Sequence, residues 1–261
     1  MVGSDCIEHT YLYAFFSTDP FTMWQIHDSS CAQPDEFKNG LHGHWMVEGP
    51  CETQPKQQHQ DWICAASGGG LGIEFGNREG SLQLTVSNVG GQDLPTAAEQ
   101  YVCGDAWKVS FPQSTGQYSL RMSVRVVQAT ATRIVWEPTF SIQTSLLDTA
   151  PSLALSARGE PDERLAEFSA AVPEQVGVRA RRTEDGGQLI VLLGPTDAPF
   201  TKNRCSRTRL DLRIFGEFLE KGVIRKARPW IVMDRSEAGV SASELADYST
   251  QLCQTPLPLT A

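Results

Sequence analysis

The sequence predicts a mainly β fold, an antiparallel β-sandwich-like architecture with two short helices. Three observations carry this. Alternating apolar and polar residues recur between Asp61 and Met233, the period-two signature of half-buried strands. Glycines and prolines punctuate these runs at hairpin spacing. Only two stretches, from Pro161 and from Ser241, combine helical periodicity with a proper helix start. The simplest organisation is a single β-rich domain over residues 1–261 with a loop-rich N-terminal segment. The alternative splits near Gly159 into a β domain (1–158) and a small α+β domain (159–261).

The elements follow in chain order. Residues up to about Asp61 are irregular, broken at Gly40, Gly43 and Gly49-Pro50 and by a polar run from Gln54 to Gln60; His44–Glu48 is one short strand among them. Asp61–Ser67 and Leu71–Asn77 are strands separated by Gly68-Gly69-Gly70. A strand rather than a helix follows those glycines, so they read as a hairpin loop and not a dinucleotide loop. Leu82, Leu84 and Val86 alternate with Gln83, Thr85 and Ser87 and stop at Gly90-Gly91. Trp107, Val109 and Phe111 repeat the pattern. Tyr118–Val126 and Ile134–Leu146 make a long hairpin across Ala129–Thr132. Pro138 has no N–H to give the ladder, so it marks a bulge or an edge.

Pro161-Asp162-Glu163 opens a helix, with carboxylates at the positive end of its dipole. Leu165, Phe168 and Val172 share its inner face and Pro173 stops it. Val176–Arg182 and Gln188–Leu193 pair around Glu184-Asp185-Gly186-Gly187. Ser241 caps the last helix, Glu244 completes a capping box, and Leu245, Tyr248 and Leu252 face inward. Pro256 and Pro258 end it.

The most detailed expectation concerns Thr208–Met233, read as one long hairpin around Glu220-Lys221-Gly222, with Gly222 in the left-handed conformation. That register pairs Leu219 with Val223, Glu217 with Arg225, Leu212 with Trp230 and Leu210 with Val232. Pro229 demands a strand end, edge or bulge at its position.

The chain is long enough to bury a substantial core, and no apolar run approaches the ~18 residues of a membrane helix. No basic, apolar secretory leader is visible, so the cytoplasm is the expected compartment. Seven cysteines at irregular spacing, without C-x-x-C, read as reduced thiols. The net charge of −9 is unevenly spread. Residues 1–115 carry four Lys/Arg against fourteen Asp/Glu, whereas residues 176–235 carry thirteen against seven. The acidic part is expected to neighbour the basic part within the molecule. Nucleic acid is not the expected partner, because the basic side chains alternate with core residues; a protein or small ligand suits the composition better.

Chemistry-bearing residues cluster early. All five histidines lie between His9 and His59. His42 and His44, two residues apart on a strand, project from one face with α-carbons about 7 Å apart, a workable pair of metal ligands. Glu48 or Cys51 supplies a third. The fragment H-x-H-x-x-x-E over residues 42–48 resembles part of the first cupin motif. The flanking glycine spacing departs from that motif and no histidine beyond His59 serves the second, so the resemblance stops at the fragment. Cys51, His59 and Cys64 match no zinc module. There is no G-x-S-x-G elbow, and Asp105 reads as a turn former. Glu137 and Glu217 are expected to point out of their strands, Glu217 toward Arg225. The six tryptophans read as core.

The expectation is therefore a soluble, non-catalytic, β-rich protein with a structural, binding or regulatory role and no cofactor. The alternative is a protein that binds zinc or another divalent metal, or a metal-dependent enzyme, built on His42, His44, Glu48 and Cys51.

Overall fold

A computed structural model describes residues 11–12, 22–28, 41–47, 60–77, 80–114, 116–162, 177–183 and 186–257. The strands are β1 (Tyr11–Leu12), β2 (Thr22–Asp28), β3 (Leu41–Val47), β4 (Gln60–Gly68), β5 (Gly72–Asn77) and β6 (Gln83–Asn88). They continue with β7 (Glu99–Cys103), β8 (Ala106–Phe111), β9 (Ser119–Ala129), β10 (Arg133–Gln143), β11 (Ser152–Arg158) and β12 (Glu160–Pro161). The last are β13 (Gly177–Arg182), β14 (Gln188–Leu193), β15 (Lys202–Asn203), β16 (Arg209–Phe215), β17 (Ile224–Ala227) and β18 (Trp230–Asp234). One α-helix, α1 (Ala242–Gln254), is present among the described residues. The helix expected from Pro161 lies almost wholly outside them; Pro161 itself belongs to β12.

All pairings are antiparallel and form two sheets, so the mainly β, sandwich-like class is the observed one. The first sheet runs β1-β2-β3-β4-β5-β6-β11-β16-β15. The second runs β12-β13-β14-β18-β10-β9-β8-β7, with β17 also paired to β10. Both sheets draw strands from either side of Gly159.

One apolar core fills the space between the sheets. Trp24, Phe75, Leu84, Leu155 and Leu212 come from the first; Trp107, Met122, Trp136, Val191 and Ile231 come from the second. The tryptophans were expected in the core, and the ring of Trp24 lies 5.7 Å from that of Trp107 and 5.9 Å from that of Trp136. The indole N–H groups of Trp24 and Trp62 reach across to the carbonyls of Asp105 and Thr130, each at 3.0 Å. Each large apolar side chain so buried contributes roughly 1.5–3 kcal/mol.

A second core lies on the far face of the second sheet. Val135, Ile190, Leu192, Trp230 and Val232 are covered there by Leu245, Tyr248 and Leu252 of α1. This explains why every residue of β14 and β18 is buried: one phase faces the other sheet and the alternate phase faces the helix. Helix α1 begins as expected, with Ser241 accepting from the Glu244 N–H and Glu244 accepting from the Ser241 N–H at 2.8 Å. Arginines fix both ends. Arg133 donates to Asp234 at 2.7 Å, to the Gly239 carbonyl at 3.0 Å and to Glu244. Arg228 donates to the carbonyls of Leu252, Thr255 and Pro256, where a cation complements the helix C-terminus.

The Thr208–Met233 hairpin is not formed. Strand β16 pairs with β11 and β15 in the first sheet, whereas β17 and β18 belong to the second. The chain leaves the first sheet at Phe215 and Gly216, whose φ values are 63° and 87°. Leu212 therefore faces the inter-sheet core and Trp230 the helix. Period-two alternation satisfied both arrangements, because a strand buried on both sides has no polar phase to fix its partner. Two details survive: Gly222 has a φ of 82°, and Glu217 pairs with Arg225 at 2.7 Å. The loop is tied elsewhere, its Gly222 N–H donating to the Thr144 carbonyl beyond the end of β10.

Strand β10 resolves the prolines. It pairs with β18 over Arg133–Trp136 and with β17 over Phe140–Gln143, leaving Pro138 between the two. Pro229 falls in the same break, between the end of β17 and the start of β18. The β9–β10 hairpin forms as expected, with its register shift at Val127, between Val135 and Trp136.

Candidate functional site

His42 and His44 do share one face of β3, the face turned away from the inter-sheet core. Register places His42 opposite His27 of β2 and Ala65 of β4, and Ala65 opposite Glu74 of β5. His42 is buried and His44 half-buried. Glu48 and Cys51 lie outside the described residues. Among the described residues no three His, Cys, Asp or Glu side chains form a group that could hold a metal. The glycine between the histidines has its own reason. A β-carbon on Gly43 would come within 2.8 Å of the indoles of both Trp24 and Trp107, so the core requires glycine there whatever its neighbours do.

A different place has the shape of a ligand site. Beyond β16, the chain turns through Phe215 in a left-handed conformation that a bulky side chain resists. Opposite it, the Gly194 carbonyl accepts from the N–H groups of Asp197 and Ala198, setting up a single 3-10 turn, Ala198–Phe200, with Pro199 at its second position. Strand β17 closes the third side. Between them is a cleft of about 340 Å³. Phe200, Ile214, Phe215 and Ala227 provide apolar walls, and Phe200 is 56% exposed although its ring is wholly apolar.

The polar groups of the cleft fall into an inner and an outer set. Inside, Asp197 is buried, and its Oδ2 accepts from the Arg228 backbone N–H at 2.8 Å. Burial raises its pKa above the ordinary carboxylate value, although Arg228 and Thr196 pull the other way. Behind it, Glu137 is also buried, 3.6 Å from the Arg228 guanidinium. Burial raises its pKa too, against the opposing charges of Arg125 and Arg228. Glu137 was expected to point out of its strand; it does leave the inter-sheet core, but Arg228, which also donates to the carbonyls ending α1, draws it into a covered polar centre. At the rim, Glu217 and Arg225 form an ion pair with both partners well exposed, which contributes little to stability. Asp105, the expected turn former between β7 and β8, holds Arg125 at 2.9 Å on the surface.

Of the cleft residues, Glu217 and Arg225 were singled out from sequence, as a cross-strand pair; the apolar walls were not. An exposed phenylalanine reads as core in any apolar pattern. The one local signal was Asp-Ala-Pro-Phe over 197–200, a turn former followed by proline and an aromatic with no strand to join.

No protein-family model matches this chain, and neither a curated protein nor a solved structure was found to be similar to it, so its function rests on this geometry.

Proposed function

We propose that the protein is a non-catalytic binding protein that takes a small, largely apolar ligand into the cleft between Phe200 and Phe215. The carrying observation is the lining itself: a concave space of ligand size whose exposed surface is mainly apolar, walled by Phe200, Ile214, Phe215 and Ala227 and flanked by strained backbone. Catalysis has less support. Glu217 is engaged by Arg225, Asp197 is engaged by Arg228, and no Ser, Cys or His among the described residues lines the cleft. Titration with 8-anilinonaphthalene-1-sulfonate, followed by fluorescence and by the methyl resonances of Ile214 and Ala227, tests the reading. Saturable binding that perturbs those methyls is expected, weakened about tenfold, or ~1.4 kcal/mol, by Phe200→Ala. Unchanged affinity in that exposed-residue variant would rule the cleft out.

A second reading, binding of a divalent metal such as zinc, draws support from the register that sets His27 opposite His42 beside His44. Zinc at a hundredfold excess over its dissociation constant should then stabilise the fold by about 2.7 kcal/mol. The gain should vanish in His42→Ala and His44→Ala and fade below about pH 6.5 as imidazole protonates. No stabilisation by zinc, together with loss of stability in the variants in metal-free buffer, would remove it.

A further inference from the structure

The outer face of the first sheet holds a second, larger cavity, of about 520 Å³, that shares no residue with the cleft above. Its floor is unusual for a sheet. Arg158 on β11 and Arg209 on β16 are direct cross-strand partners. Their side chains leave the same face with β-carbons about 5 Å apart, an arrangement in which like charges repel. Both are exposed, and neither guanidinium is in an ion pair with a carboxylate among the described residues. Among the described residues, no Asp or Glu lines the cavity. Among the described residues, two acids stand beside it: Asp211, one step along the same face of β16 and 3.8 Å from Arg213, and Glu160, which the register sets opposite Arg182. A third cation adds to the field. The buried guanidinium of Arg181 donates to the carbonyls of Ser206 and Arg209, the latter at 3.1 Å.

The remaining lining supplies neutral donors. Ser81, Thr85, Ser156 and Thr183 bring hydroxyl groups from four separate segments. Gly159 brings the two sheets together at this end: a β-carbon there would lie 2.4 Å from the Arg182 carbonyl oxygen, and its N–H donates to the Thr208 carbonyl at 3.1 Å. The backbone that carries the arginine pair is thus fixed, so the two side chains start from adjacent positions. Two forked guanidinium groups with surrounding hydroxyls suit a tetrahedral oxoanion, which accepts bidentate bonds from arginine and cancels the repulsion.

We propose that Arg158 and Arg209 form a binding site for a phosphate group, carried either as the free ion or as the monoester of a small molecule. Calorimetric titration and thermal unfolding of the full chain, with chloride adjusted to constant ionic strength, test it. Inorganic phosphate should bind with one-to-one stoichiometry and raise the unfolding midpoint. Arg158→Gln and Arg209→Gln should each weaken that binding at least tenfold. In phosphate-free buffer each variant should unfold at the wild-type temperature or above it, because the repulsion is relieved. Glycerol 3-phosphate separates the two sources: tighter binding than inorganic phosphate identifies a monoester, and weaker binding identifies the free ion. Phosphate effects no larger than those of chloride, wild-type phosphate affinity in the variants, or variants less stable than wild type without phosphate would overturn the proposal.

Discussion

Replacing Trp230 tests the central departure of this fold from a simple hairpin. The side chain is 2% exposed, and its ring centroid lies 6.5 Å from that of Tyr248 on α1. A buried indole removes roughly 200 Å² from water, which at about 25 cal/mol per Å² is around 5 kcal/mol as an upper bound. Trp230→Ala should therefore cost about 3–5 kcal/mol. The informative measurement is a pair of double-mutant cycles by urea denaturation, using the milder Trp230→Leu. Combined with Tyr248→Leu it should show coupling of about 0.5–1.5 kcal/mol, the usual value for an aromatic pair. Combined with Leu212→Ala it should be additive within about 0.5 kcal/mol, because the two residues lie in separate cores. Coupling to Leu212 as large as coupling to Tyr248 would mean that both residues occupy one face, and the two-sheet assignment would fall.

Gly43→Ala should destabilise by about 1–3 kcal/mol through overpacking between Trp24 and Trp107; a neutral result in chemical denaturation would show that the indoles do not close over it. Glu244 is held at a pKa of about 2, below its ordinary 4.5, first by the Ser241 backbone N–H and also by the Ser241 side chain and Arg133. A depressed carboxylate stabilises fully above its unfolded pKa and loses that contribution as pH falls through the folded one. Thermal midpoints should thus decline between about pH 4.5 and 2 in the wild type and more shallowly in Glu244→Gln. Parallel declines would show that the capping box carries no acid sensitivity.

Local features of the fold were legible wherever the chain itself decides them. The capping box at Ser241 and Glu244, the left-handed Gly222 and the β9–β10 hairpin depend on neighbours in sequence, and each appears. Partner choice across the sheets was not legible. Strand β11, placed between β6 and β16, carries Leu153, Leu155 and Ala157 on its inner face, too few and too small to stand out. Strand β7 exposes Glu99, Tyr101 and Cys103 and has almost no apolar phase. The histidine pair fell on one face as a strand requires, yet the cleft went unseen. Its walls come from Phe200, Phe215 and Ala227, on three segments that only the tertiary fold unites.

The strand order has a consequence for how the chain can be made. Strand β10 is complete at Gln143, but the neighbour that covers its other edge, β18, ends only at Asp234, about ninety residues later. At ribosomal speeds of about 5–20 residues per second that is roughly 5–20 s. For that interval the nascent chain carries an open edge on β10. Strand β6 waits in the same way for β11, and β11 for β16. A chain halted before Trp230 is therefore left with unpaired, aggregation-prone edges inside the sheets, whereas one halted just after Asp234 has every described strand of both sheets and lacks the helix. The last strand to emerge is the one that seals the fold.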